Sequence, residues 1–250
     1  MDALSIRDVR KGYSIMQNGV AARVSVLDGI SLKVKKGEFI GLIGPNGCGK
    51  TTLLKLILGV ERPDSGGISV LGNGPDETRM GYVPQHSAGS LYPWFTAAEN
   101  VAFAYSSDEE NRAQRAAERL GEFGVRHYAN AYPYQMSGGI KQLVSIARAT
   151  VCSEVFLFDE PFNGLDYQNR IAVERKFIGL RDGNNSAILI SHDIESAVLT
   201  CDKLVIMGKK PSTIRAVLPV GLPEKRNHET RFSREFNLVL RQAFEIIGCE

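Results

Sequence analysis

The 250-residue sequence predicts an α/β fold with a mainly parallel sheet, an N-terminal antiparallel β part and a helical insertion. Three observations predict it. Short apolar runs, Phe39 to Ile43 (FIGLI), Val155 to Phe158 (VFLF) and Ala187 to Ser191 (AILIS), alternate with helical patterns, the rhythm of buried parallel strands covered by helices. The first 35 residues instead carry Ile6, Val9, Val24, Val26 and Ile30 in short strand-like pieces with an Asn18-Gly19 turn signal, which reads as antiparallel strands beside the core. From about Leu91 to Gln135 the pattern turns helical, with Ala113, Ala116, Ala117 and Leu120 at helical spacing behind a capping box of Ser107 and Glu110.

These elements divide a single domain over 1–250 into four parts. The antiparallel part takes 1–35 and about 66–83, the core about 36–65 and 146–215, the helical part about 90–145, and a tail 216–250. In the tail, Phe236, Leu240, Ala243 and Ile247 repeat at helical spacing before Gly248, as in a docked helix stopped by a glycine. Internal repeats and low-complexity tracts are absent from the sequence.

Composition bounds the function without naming it. With 43% hydrophobic residues the chain can bury a full core. Thirty Lys and Arg against 28 Asp and Glu leave a net charge of +2, which gives no electrostatic reason for a nucleic-acid or anionic-membrane surface. Cys48, Cys152, Cys201 and Cys249 form no CxxC pair, and the first residues (MDALSIRDVRKGY) lack an apolar signal core, so the cysteines read as reduced, in a cytosol. No run reaches the roughly 18 to 20 apolar residues needed to span a bilayer, and the chain is expected not to cross a membrane.

Gly44-Pro45-Asn46-Gly47-Cys48-Gly49-Lys50-Thr51 matches the phosphate-binding pattern GxxxxGK[ST] directly after the strand FIGLI. Glycines let the backbone curl so that its N–H groups face a phosphate chain, and the helix starting near Lys50 adds its positive N-terminal dipole. Lys50 is expected on the β and γ phosphates and the Thr51 hydroxyl on Mg²⁺, with Thr52 counted in the same ATP-binding set. The fold class sharpens accordingly to a P-loop NTPase core. Downstream, the strand VFLF ends in Asp159-Glu160, and strand alternation sends the two carboxylates different ways. Asp159 can reach the Mg²⁺ shell, while Glu160 can deprotonate a water attacking the γ phosphate. By itself such a pair is commonly a solvated strand end; the phosphate loop upstream reverses that weighting.

A third motif, Met136-Ser137-Gly138-Gly139 followed by a helix over Lys141 to Ala149, resembles the signature of ABC ATPases. Ser137 as helix N-cap, with the Gly138 and Gly139 N–H groups, makes a second phosphate site in the same chain. The resemblance then covers almost the whole chain. It implies two copies packed head to tail, each ATP held between one copy's phosphate loop and the other's Ser-Gly-Gly turn. It also implies that Tyr13 stacks on adenine, that Gln85 senses Mg²⁺ and the γ phosphate, that Asn163 to Asp166 (NGLD) address the second copy, and that His192 holds the γ phosphate and Glu160. The chain departs from the family at Ile140, commonly Gln, and Leu143, commonly Arg. An exposed Cys48 thiol in the loop is expected to be sensitive to alkylation.

Within the family, Leu91-Tyr92-Pro93-Trp94, Tyr132 to Gly139, Asp159-Glu160-Pro161-Phe162 and Ser191 to Ala197 are most similar to ATPase subunits of importers for nitrate, alkanesulfonates and taurine. That resemblance implies an ATPase at the cytoplasmic face of the inner membrane, with a second ATPase subunit, membrane permease subunits and an extracytoplasmic solute-binding protein as partners, and no nucleic acid. The segment from about Gln85 to Ala104, with Tyr92, Trp94 and Phe95, is the expected permease-facing surface. Two other readings stay open at this stage: a soluble ABC ATPase of assembly or remodelling, such as iron–sulfur cluster assembly, which would carry identical nucleotide motifs, and a small-molecule kinase, which leaves Ser137-Gly138-Gly139 and His192 without roles.

Overall fold

The computed structural model describes residues 2–17, 20–85, 87–106, 110–151 and 153–248. Two long strands open the chain, β1 (Asp2–Gln17) and β2 (Val20–Lys35), paired antiparallel. After β3 (Phe39–Ile43) and the helix α1 (Lys50–Ile57), β4 (Ser65–Val70) joins the other edge of β1. β5 (Gly81–Val83) leads into a helical stretch of α2 (Ser87–Ser90), α3 (Ala97–Ala102), α4 (Arg112–Glu122) and α5 (Gly138–Ala149). Then β6 (Val155–Asp159), α6 (Tyr167–Gly179), β7 (Ser186–Ile190), α7 (Ile194–Thr200), β8 (Lys203–Met207) and β9 (Ile214–Pro219) follow, and α8 (Arg234–Gly248) closes the chain. The large sheet runs β5-β6-β7-β3-β8-β9, parallel throughout except for β9, which pairs antiparallel with β8.

Strand alternation builds two cores, one on each face of this sheet. Phe39 and Ile43 of β3, Phe156 and Phe158 of β6, and Ala187 and Leu189 of β7 face the helices α3 to α8. Ile40 and Leu42, Val155 and Leu157, and Ile188 and Ile190 face α1 and the antiparallel sheet. Continuing that alternation along β6 sends Asp159 to the α1 side, the side of the phosphate loop. On the helical face, the buried ring of Phe177 meets Phe39, Phe158 and Phe162 at centroid distances of 5.5, 4.7 and 5.7 Å, all edge-on.

Several expectations change in detail. Gly81–Val83 belongs not to the antiparallel part but to the large sheet, beside β6. Three residues are too few to show a period. Gly81 is required there because a Cβ would meet the Ala149 carbonyl oxygen at 2.2 Å. The first strands are long rather than short pieces; register shifts between Ile6 and Val9 and around Lys11, with Asp8 at φ 45, break their alternation. The Asn18-Gly19 turn lies outside the described residues, as does Ser107 of the expected capping box. α4 starts only at Arg112, behind Asn111 at φ 59 without a side-chain cap. α5 begins at Gly138, three residues earlier than read, directly at its Ser137 cap. α8 buries Phe236, Val239 and Ala243, with Leu240 and Ile247 packed at the rim.

Phe177→Ala is expected to cost about 3–5 kcal/mol. In urea unfolding this reads as a lowered midpoint with an unchanged slope; a loss below 1 kcal/mol would mean that the helical core does not hinge on this ring.

Candidate active site

The carboxyl edge of the parallel sheet collects the chemistry, as open α/β sheets do. A cavity of about 250 Å³ opens there, lined by Asn46, Gly47, Gly49, Lys50, Thr51 and Thr52 from the phosphate loop and α1. Gln85 after β5, Asp159 and Glu160 at the end of β6, and His192 after β7 complete it, together with Ile190 and Lys210. The loop curls as its glycines allow: Gly47 and Gly49 sit at φ 75 and 110, and Gly49 stands at the N-cap of α1. Lys50 Nζ donates to the carbonyls of Gly44 at 2.7 Å and Pro45 at 3.1 Å. Cys48 corrects the expected exposed thiol. It is 1% exposed and packs with the apolar side chains of the α1 face, because the loop turns its side chain inward. Cys48 and Cys201 are both buried and unpaired with each other, while Cys152 and Cys249 lie outside the described residues.

Glu160 is the most constrained group of the cavity. Its side chain is only 5% exposed, its backbone has φ 51, and its N–H donates to the Ile190 carbonyl at 2.9 Å. His192 approaches twice, its backbone N–H 3.3 Å from Glu160 Oε2 and its Nδ1 2.8 Å from Oε1. Burial pushes the Glu160 carboxyl up to about 7, with Asp159 and Asp193 adding to the rise and the His192 N–H and Lys50 opposing it. A carboxyl poised there can hold or release a proton at neutral pH. Thr51, Gln85 and Asp159 offer only oxygen donors besides the amide nitrogen, a set that suits Mg²⁺.

Other sequence-derived residues lie elsewhere. Tyr13 on β1 packs against the α1 face, its hydroxyl donating to Glu61 at 2.5 Å; burial, then that hydrogen bond, pushes its phenol up. Ser137 caps α5 by accepting from the Ile140 N–H at 3.4 Å, and Ser137 and Gly138 are exposed. Asp166 caps α6 by accepting from the Asn169 N–H at 2.9 Å, which holds its carboxyl below its ordinary value. Gly139 and Asp166 are linked through Asn169: a Cβ on Gly139 would meet the Asn169 side chain at 2.4 Å, and Asn169 Nδ2 donates to Asp166 Oδ2 at 2.6 Å. Leu143, where an Arg is common, is buried in the helical core, and Ile140 packs at its rim. Ser137, Gly138, Gly139, Asp166 and Tyr13 do not line the cavity.

Lys210 was missed by sequence reading. Only strand pairing brings it to the loop, and a lysine pair before Pro211 carries no motif. A second hollow of about 350 Å³ lies between the sheet edge and the helical stretch, lined among others by Tyr82, Tyr92, Phe103 and Arg148. Phe103 of this lining is 59% exposed, and Trp94, its ring 5.6 Å from that of Tyr92, is 66% exposed. Asn100, fully buried, holds the connecting loop by accepting from Tyr92 N–H and donating to the carbonyls of Tyr92, Phe95 and Thr96.

Residues 27–163 match the family described as ABC transporter. The chain belongs to the ABC transporter family. Among ABC transporter relatives, the nitrate import ATP-binding protein NrtD of Synechocystis sp. is 36% identical over 94% of this chain and 88% of its own length. The aliphatic sulfonates import ATP-binding protein SsuB of Bacillus cereus is 32% identical over 98% of this chain and 97% of its own. The bicarbonate transport ATP-binding protein CmpC of Synechococcus elongatus is 39% identical over 80% of this chain, which spans only 31% of that relative. A dimeric structure of the ATP-binding cassette MJ0796, bound to ADP and Pi, shares the fold with a TM-score of 0.74 at 25% identity, over 88% of this chain and 100% of that one. The fold is thus that of an ABC ATPase cassette, with the P-loop NTPase core expected from the sequence.

The raised Glu160 carboxyl makes stability depend on pH. Its ordinary value is 4.5 and its folded value about 7, so between them the folded protein binds more protons, and this group's contribution falls as pH rises through that window. Glu160→Gln removes the ionised form. The variant is expected to melt close to wild type at pH 4.5 and to be more stable at pH 8 by on the order of 3 kcal/mol. An equal effect at both pH values would count against a raised carboxyl.

Proposed function

We propose that this chain is the ATP-hydrolysing subunit of an ABC importer, one ATPase domain whose helical part, about 90–145, addresses a membrane permease. The observation that carries the reading is a carboxyl poised near 7 in the same cavity as a phosphate-binding loop. The N–H groups of Gly47, Gly49, Lys50 and Thr51 bind the phosphate chain, Tyr13 takes the adenine, and Lys50 leaves its loop carbonyls for the β and γ phosphates. Thr51, Gln85 and Asp159 would hold Mg²⁺, which supplies charge neutralisation along the phosphates when bound. Glu160 takes the proton of a water aimed in line at the γ phosphorus, ADP leaves, and phosphate carries the new oxygen. His192 orients Glu160 through the two contacts described above.

Ser137, Gly138, Gly139 and Asp166 serve a second copy. They are separate from the cavity, and the Ser137 cap presents the start of α5 to an anion. Head-to-tail pairing gives these groups a phosphate to bind, and hydrolysis reopens the pair. The permease is proposed to dock on the surface around Tyr92, Trp94, Phe95 and Phe103. Relatives named for nitrate, aliphatic sulfonates and bicarbonate support a small anionic solute, taurine being an alternative within the same importer type, delivered by an extracytoplasmic binding protein. The subunit is proposed to sit peripherally at the cytoplasmic face of the inner membrane. Among the described residues no helix is long and apolar enough to cross a membrane.

Glu160→Gln is expected to lower ATP turnover by roughly a hundredfold or more while ATP binding persists; turnover near wild type would remove Glu160 from the base role. In the wild type the rate should fall as pH drops below about 7, as the carboxyl gains its proton. Membranes of the native host, solubilised in mild detergent, should yield the tagged chain with a multi-span protein in near-stoichiometric amount. Recovery with soluble partners alone would move the reading to an assembly ATPase.

A further inference from the structure

Lys210 stands in the turn between β8 and β9, yet it lines the cavity of the phosphate loop. Pairing explains how. β8 runs beside β3 with Ile206 opposite Ile43, so the residues after the two strands emerge side by side. The contact is close, since a Cβ on Gly44 would meet the Met207 carbonyl oxygen at 2.9 Å. The turn is held on both sides. Gly208 N–H donates to Thr213 O at 3.1 Å, Ser212 N–H donates to Val26 O at 2.9 Å, and Asp28 N–H donates to Ser212 O at 2.9 Å. Ser212 is fully buried, and its hydroxyl donates to Gly208 O at 2.9 Å. A flexible cation therefore rises from a fixed base.

An exposed lysine is ordinary on a protein surface. Lys210 differs in its company and its charge balance. It shares the cavity with Lys50, Gln85, Glu160 and His192, whereas Tyr13, which marks the opposite end of a bound nucleotide, is outside it. Among the described residues no carboxylate forms an ion pair with its ammonium group. ATP carries more negative charge than ADP, and the additional charge lies on the last phosphate. We propose that Lys210 is a second cation of this site, one that binds the terminal phosphate and so makes the chain prefer ATP to ADP. The proposal rests on the reading of the cavity as an ATP site. Lysine suits the task, because a compact point charge on a long stem can follow the phosphate as it arrives and leaves.

The test is equilibrium binding of a non-hydrolysable ATP analogue and of ADP, each with Mg²⁺, to the full chain and to Lys210→Ala and Lys210→Arg. At low salt, Lys210→Ala should weaken the triphosphate about tenfold and ADP less than twofold, with Lys210→Arg restoring most of the difference. The gap should shrink as salt rises. Thermal melting of the variants should match wild type, because the side chain is exposed. Equal weakening of both nucleotides, or none, would overturn the role of Lys210 while leaving the ATP site in place. A wild-type chain that binds neither nucleotide would overturn the ATPase reading itself.

Discussion

Burying a carboxyl group costs free energy, and the edge of the sheet is organised around that cost at Glu160. The strand β6 sits between β5 and β7, so the residue that follows it emerges with neighbours on both sides. One neighbour accepts its N–H through the Ile190 carbonyl, and the chain turns through a left-handed conformation to bring the side chain inward. His192, leaving β7 next door, contacts both carboxyl oxygens. Desolvation then moves the group toward neutrality, where a proton can be taken or returned. The His192 N–H and Lys50 hold that rise back, so the carboxyl is set between burial and these two contacts.

The same edge shows what a sequence makes legible. Strands β3, β6 and β7 were readable because burial on both faces leaves short uniform apolar runs, and the loops after them inherit their direction from the sheet. That direction puts the phosphate loop, Asp159, Glu160 and His192 at one edge, while their roles came from the loop's own pattern and from the family resemblance. Residues delivered by register were illegible: Lys210 reaches the loop only because β8 pairs with β3, a fact that no local pattern carries. β5 was assigned to the wrong sheet because three residues show no period. The bulged stretch from Ile6 to Lys11 hid two long strands, since each register shift inverts which side chains face inward.

The tail is joined to the site by a chain of polar contacts. Asp193, next to His192, caps α7 and pairs with Arg170 of α6 at 2.8 Å. Ser196 Oγ lies 2.8 Å from Asp193 Oδ2 and 2.5 Å from the buried Glu174. Arg231, in the short turn His228–Phe232 ahead of α8, reaches the same Glu174 oxygen at 2.6 Å. A carboxylate 2% exposed is tolerated there because its partners arrive from two other segments, α7 and the turn ahead of α8, the second far along the chain.

One feature of α5 reaches further than its length indicates. Its first turn is capped by Ser137, and its last residues, Arg148 and Ala149, line the hollow beside Tyr92, with Arg148 donating to the Ser90 carbonyl at 2.9 Å. Twelve residues of helix span about 18 Å and do not stretch. The Ser137 cap and the wall of the hollow are therefore two ends of one stiff rod, and neither end can shift along its axis without carrying the other.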